Sequence, residues 1–131
     1  LKIKVKAKTH WSLPQRQRVR KAAKMLAAMM NIKAPTIYLT GPLIVENDEC
    51  YGYATENNKI FLSDCDNEDP ILYLAHEMIH IQQYQRGDLR EKNGYWIWKS
   101  KIDHSDYENQ PWEIEAYDKM YDYYDLCIQY L

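Results

Sequence analysis

Residues 76–80 read His-Glu-Met-Ile-His. In a helix, positions four apart share a face, so the imidazoles of His76 and His80 project together and can hold one metal ion. Glu77 is rotated by about 100° from His76, near enough to act on water at the metal without being a ligand. This is the arrangement of a zinc hydrolase: two imidazoles fix the ion and a carboxylate takes a proton from its water. The competing account is an amphipathic helix on which two histidines happen to fall. The residues around them favour the metal.

A catalytic zinc site takes three protein ligands and keeps a fourth position for water, so one more residue is required. An extended motif with glycine at 83 and histidine at 86 would supply it locally, but those positions hold Gln83 and Arg86. His104 is a distant candidate beside Asp103 and Asp106, in a polar stretch where a lone histidine is more often solvated. The segment Pro111-Trp112-Glu113-Ile114-Glu115-Ala116-Tyr117 offers two carboxylates. On a helix they point about 200° apart, so only one can face the metal. Glu113 shares its face with Ala116, Tyr117, Met120, Tyr124, Cys127 and Leu131, the stripe that must pack inward. Glu115 shares a face with Lys119, Asp122 and Gln129, which look exposed to solvent. A carboxylate on a buried stripe needs a partner to offset its lost hydration, and a zinc ion is such a partner. Glu113 is therefore favoured over Glu115 and His104.

The elements that must position these groups can be read from pattern. Asp69 and Pro70 provide an N-cap and a first helical position, and Gly87 a stop, so the helix carrying the histidines spans about 70–86. Its Ile71, Leu72, Leu74, Ala75, Met78 and Ile79 make it a central, well-buried helix. Pro111 opens a last helix to about Tyr130. Ser12 caps another, to Met30, with Pro14 in its first turn and Leu13, Val19, Leu26 and Met30 at helical spacing. Lys2 to Lys8 alternates as a strand with one wet face, Thr36–Leu39 is a short strand stopped by Gly41-Pro42, and Tyr51–Ala54 with Lys59–Leu62 forms a hairpin around 56–58. Residues 87–110 show no clear period and read as a long loop. The expected fold is α+β, one domain over residues 1–131, with about three helices and a small, mostly antiparallel sheet.

His76-Glu77-x-x-His80 with a downstream Glu-x-x-Ala on a second helix resembles the gluzincin clan of zinc metallopeptidases. Gln83 and the Glu113-Ile114-Glu115-Ala116 string resemble its small intracellular members, the ImmA/IrrE-type peptidases and the minigluzincins. The resemblance spans roughly residues 50–120 in layout and implies a zincin-like fold, one zinc ion, a protein or peptide substrate, and the glutamate three residues before the alanine, Glu113, as ligand. Members often carry Asp or Asn directly after that alanine, whereas this chain has Tyr117. The clan also implies a Tyr or His that stabilises the oxyanion, for which Tyr95, Tyr107 and His104 are candidates. By the same analogy the 51–62 hairpin is the sheet edge that binds an extended peptide. Tyr95, Trp96 and Trp98 could wall the substrate site or simply pack.

Composition bounds the alternatives. At 46 % apolar with few glycines, the chain is a folded domain rather than a disordered one. There is no run long enough for a membrane span and no visible leader; the chain opens on Leu1, as a trimmed or processed product would. Cys50, Cys65 and Cys127 form no paired motif and fit a reducing compartment, which points to the cytosol. Residues 1–45 hold ten Lys/Arg and no acid, against seven Lys/Arg and nineteen acids in 46–131, so the net of −2 divides into +10 and −12. A nucleic-acid surface on the basic third is one reading; a basic segment that faces the acidic one within the same fold, or is simply a solvated face, is favoured, because no aromatics cluster among those basic residues. The remaining alternative to an enzyme is a metal-stabilised binding or regulatory domain that keeps the ligands and cuts nothing.

Overall fold

The computed structural model describes residues 5–7, 11–41, 43–45, 48–64 and 68–131. Each of its three helices starts and two of them stop on recognisable local chemistry. In α1 (Leu13–Met30) the Ser12 hydroxyl accepts from Gln15 N–H at 3.3 Å while Gln15 Oε1 accepts from Ser12 N–H at 2.8 Å. This reciprocal cap satisfies two otherwise orphaned donors. Helix α2 (Pro70–Arg86) starts at Asp69, whose carboxylate accepts from Ile71 N–H, and stops at Gly87 with φ 79°, a left-handed conformation that glycine adopts without steric cost. Helix α3 (Pro111–Ile128) again opens on proline, which lacks the donor that the first turn would leave unpaired.

Asp69 does more than cap α2. It takes a two-pronged ion pair from Arg18 of α1, at 2.6 and 2.7 Å, and a hydrogen bond from the Tyr124 hydroxyl of α3 at 2.8 Å. Burial works against its ionisation, but Arg18, the Ile71 N–H and Tyr124 outweigh burial and hold the carboxyl below its usual range. One acid therefore ties three helices together. It is also one place where the basic first third meets the acidic remainder.

Strands β1 (Val5–Ala7), β2 (Thr36–Thr40), β5 (Gly52–Thr55) and β6 (Lys59–Ser63) form the main sheet in the order β1-β2-β6-β5. The first two pairings are parallel and β5–β6 is antiparallel, which leaves β5 on an edge. Ile37, Leu39, Ile60 and Leu62 point to one face and are fully buried, with Leu26 of α1 and Leu74, Met78 and Ile79 of α2 in the same core. A hairpin of β3 (Leu43–Val45) and β4 (Asp48–Cys50) follows β2. Four of the six strand pairings are antiparallel, so the domain is α+β with three helices and mostly antiparallel strands. Among the described residues no helix is long and apolar enough to cross a membrane.

One expectation is corrected. Residues 87–110 are not a loop but largely a three-stranded antiparallel meander, β7 (Leu89–Lys92), β8 (Tyr95–Trp98) and β9 (Lys101–Asp103). Two-residue turns at Asn93-Gly94 and Lys99-Ser100 join them, all four residues with positive φ, which matches the right-handed twist of the flanking strands. Strand β2 stops before Gly41, where the sequence puts its end, and the β3–β4 pair that follows was not anticipated. Of the strand expected over 2–8, only 5–7 is described; the rest, with Pro42 and Cys65, lies outside the described residues.

Candidate metal centre

His76 and His80 lie on adjacent turns of α2 and are buried, with their rings edge-to-face and centroids 4.8 Å apart. Helix α3 packs across α2 and brings Glu113 to both. Glu113 Oε1 is 2.9 Å from His76 Nε2 and 3.0 Å from His80 Nε2, and the two nitrogens are 3.2 Å apart. For donors about 2.0 Å from a tetrahedral zinc, the edge of the ligand triangle is about 3.3 Å. The three donors already stand within a few tenths of an ångström of that spacing, and two neutral imidazoles with one carboxylate suit a borderline divalent metal. The group could hold a metal ion.

Its electrostatics also suit a cation. Burial would raise the Glu113 carboxyl, but hydrogen bonds from His76 and His80 hold it down, to about 2. Burial would lower His80, yet the Glu113 bond and the charges of Glu77 and Glu113 raise it to about 9. In the metal-free protein the His80 proton thus partly stands in for an ion. A metal must displace that proton, so its affinity rises with pH.

The orientation of His80 is fixed from behind. The Gln83 amide nitrogen donates to the Trp112 carbonyl at 3.0 Å and to Glu115 Oε1 at 3.1 Å. Both amide hydrogens are then used, so Oε1 is the atom facing His80, and it accepts from His80 Nδ1–H at 2.8 Å. That leaves Nε2 as the ligating nitrogen. Glu115 is anchored in turn by Arg86 at 2.9 Å. Glu115 is therefore not the solvated residue expected: its side chain is mostly buried against Gln83 and Arg86 of α2, and it supports a candidate ligand without joining the donor group. Gln83→Leu, similar in size but without hydrogen bonds, is expected to lower zinc affinity about 10- to 100-fold, measured by competition with a chromophoric chelator.

Glu77 is buried beside β5. A Cβ placed on Gly52 would stand 2.8 Å from Glu77 Cγ, so only glycine lets the strand and this side chain approach so closely. The carboxylate accepts a hydrogen bond from the Ala54 backbone. Burial dominates and raises its pKa, opposed by the charges of His80 and His76. Gly52 was not apparent as a site residue, because nothing local in the sequence marks where a strand must meet a helix carboxylate. Gly52→Ala is expected to lower turnover at least about tenfold by displacing Glu77, with zinc affinity little changed; paired activity and metal titrations check this.

His76 and Glu77 open on a cleft of about 390 Å3. Tyr107 and Tyr117 line it, with their hydroxyls 3.3 Å apart and the Tyr117 ring edge-on to His76 at 4.5 Å. Burial and the bond to Tyr117 push the Tyr107 phenol well up, so it keeps its proton. Tyr117, expected on the inward stripe of α3, instead stands half exposed at the cleft. Of the residues weighed for the oxyanion, only Tyr107 borders the cleft. Tyr95 and His104 face each other with ring centroids 6.2 Å apart and line no part of it. Nor is His104 among the grouped metal donors. Trp96 and Trp98 pack on buried Trp112, fastening the meander to the start of α3 rather than walling the cleft.

Comparison with protein-family models, curated proteins and solved structures finds no match for the chain.

Proposed function

We propose that the chain is a zinc-dependent metallopeptidase of gluzincin type, with His76, His80 and Glu113 holding one zinc ion and Glu77 as general base. The observation that carries this reading is the placement of Glu77: a buried carboxylate beside the donor triangle, in an open cleft and against an edge strand. A metal site with a purely structural task has no use for such a group, because burying a carboxylate charge costs stability.

When bound, zinc supplies an acidified water and a Lewis acid for a carbonyl. Glu77, with its basicity raised by burial, takes a proton from the nucleophile and can return it to the leaving amine. The Ala54 N–H and the close packing of Gly52 keep its side chain in one position, so little reorganisation accompanies the transfer. Tyr107 offers a protonated hydroxyl to the developing oxyanion. As an edge strand among the described residues, β5 offers backbone groups to an extended peptide.

The test is incubation of zinc-loaded protein with a proteome-derived peptide mixture and mass-spectrometric detection of new termini. Cleavage that chelator removes and added zinc restores is the expected outcome. Zinc binding that raises the melting temperature without cleaving any peptide would identify instead a metal-stabilised binding domain.

A further inference from the structure

We propose that the cleft selects peptides carrying a lysine or arginine next to the bond to be cut, a reading that rests on the peptidase function above. The lining is tyrosine-rich and half open: Tyr51, Tyr107, Tyr117 and Tyr121 are 44, 56, 48 and 55 % exposed, and the Tyr51 ring lies 4.6 Å from that of Tyr73. Large aromatic faces left half in water around one concavity are faces that a ligand covers. Their π surfaces carry negative potential, which attracts an ammonium or guanidinium and is indifferent to an aliphatic chain of the same length.

The charges of the cleft point the same way. Among the described residues no Lys or Arg lines it, and the carboxylates that do are Glu77 and Glu68. Glu77 is committed to proton transfer, which leaves Glu68 as a counter-ion at the mouth. The segments flanking the cleft extend this sign outward. Glu68 lies in the lining itself, and α3, which also lines it, holds five acids against Lys119 alone. Asp69 is neutralised by Arg18 and Glu115 by Arg86, but Asp118, Asp122 and Asp125 stand exposed on α3. A cleft of one sign between low-dielectric walls concentrates the opposite charge. An acidic side chain would meet repulsion, and a neutral one would leave Glu68 without a partner.

Three measurements test this. Sequencing the cleavage sites in a proteome-derived peptide library is expected to show Lys and Arg enriched at one position flanking the cut bond. Between otherwise identical peptides, kcat/KM with lysine should exceed that with norleucine about tenfold, and Glu68→Lys should erase or invert that ratio. Independently of turnover, Glu77→Gln should bind the lysine peptide more tightly than the norleucine peptide in calorimetry, by a margin that shrinks with added salt. Cleavage without basic enrichment, or a ratio that Glu68→Lys leaves intact, overturns this proposal alone. Failure to cut any peptide overturns the peptidase reading and this one with it.

Discussion

Glu77→Gln is expected to lower peptide hydrolysis about 10²- to 10⁴-fold, the range for loss of a positioned general base, while the protein still binds one zinc. Glutamine keeps the length and volume of the side chain, so its close fit against Gly52 survives, and its amide oxygen can still accept from the Ala54 backbone. What is lost is the capacity to take a proton. Removing a buried charge that burial already disfavours should leave the melting temperature unchanged or higher. Rate and metal stoichiometry are therefore predicted to separate. A variant that keeps its rate would remove Glu77 from the mechanism; one that loses zinc along with rate would make it a structural residue.

Glu113→Gln should act oppositely, on the metal first. It removes the only carboxylate among the three donors, and zinc affinity is expected to fall by more than about 100-fold, beyond the loss expected from a supporting residue such as Gln83. The same substitution reports on the metal-free protein. His80 is raised from 6.5 to about 9, so its contribution to stability is fully present below pH 6.5 and is lost as pH rises through 9. Glu113 is lowered from 4.5 to about 2, so its contribution is present above pH 4.5 and is lost as pH falls through 2. The pair therefore stabilises most between about pH 4.5 and 6.5, where Glu113→Gln should cost about 1.5–3 kcal/mol in chemical denaturation. Near pH 10 the difference between the two proteins should shrink to what the His76–Glu113 hydrogen bond alone supplies. A constant difference across that range would mean that the His80–Glu113 pair is not ionised.

What could be read in the sequence was whatever depends on local spacing. Helix α2 lies where Asp69, Pro70 and Gly87 put it, because caps and stops act over a few residues. The choice between Glu113 and Glu115 follows from helical geometry, and the structure groups Glu113 with the two histidines while Glu115 meets α2 farther along, at Gln83 and Arg86. The tasks that escaped are those assigned across elements. Gln83 was legible as a departure from a longer histidine motif, but its role depends on the Trp112 carbonyl and Glu115, which only the packing of α3 on α2 supplies. Gly52 matters because of a helix that begins eighteen residues later. The meander over 87–110 is a different case. Asn93-Gly94 is a strong local hairpin signal, masked by a run in which aromatic and charged residues alternate without a plainly apolar face. Its inner residues bury against Trp112 rather than in the main core, so no conventional hydrophobic period marks them.

Everything functional rests on a metal held by His76, His80 and Glu113. Crystals of zinc-loaded protein, with anomalous differences collected on either side of the zinc absorption edge, test this most directly. The predicted result is one peak per chain, within bonding distance of His76 Nε2, His80 Nε2 and Glu113 Oε1, and open to the cleft on its remaining side. A peak that includes His104 in place of Glu113, or no peak between the two histidines in protein exposed to excess zinc, would contradict it.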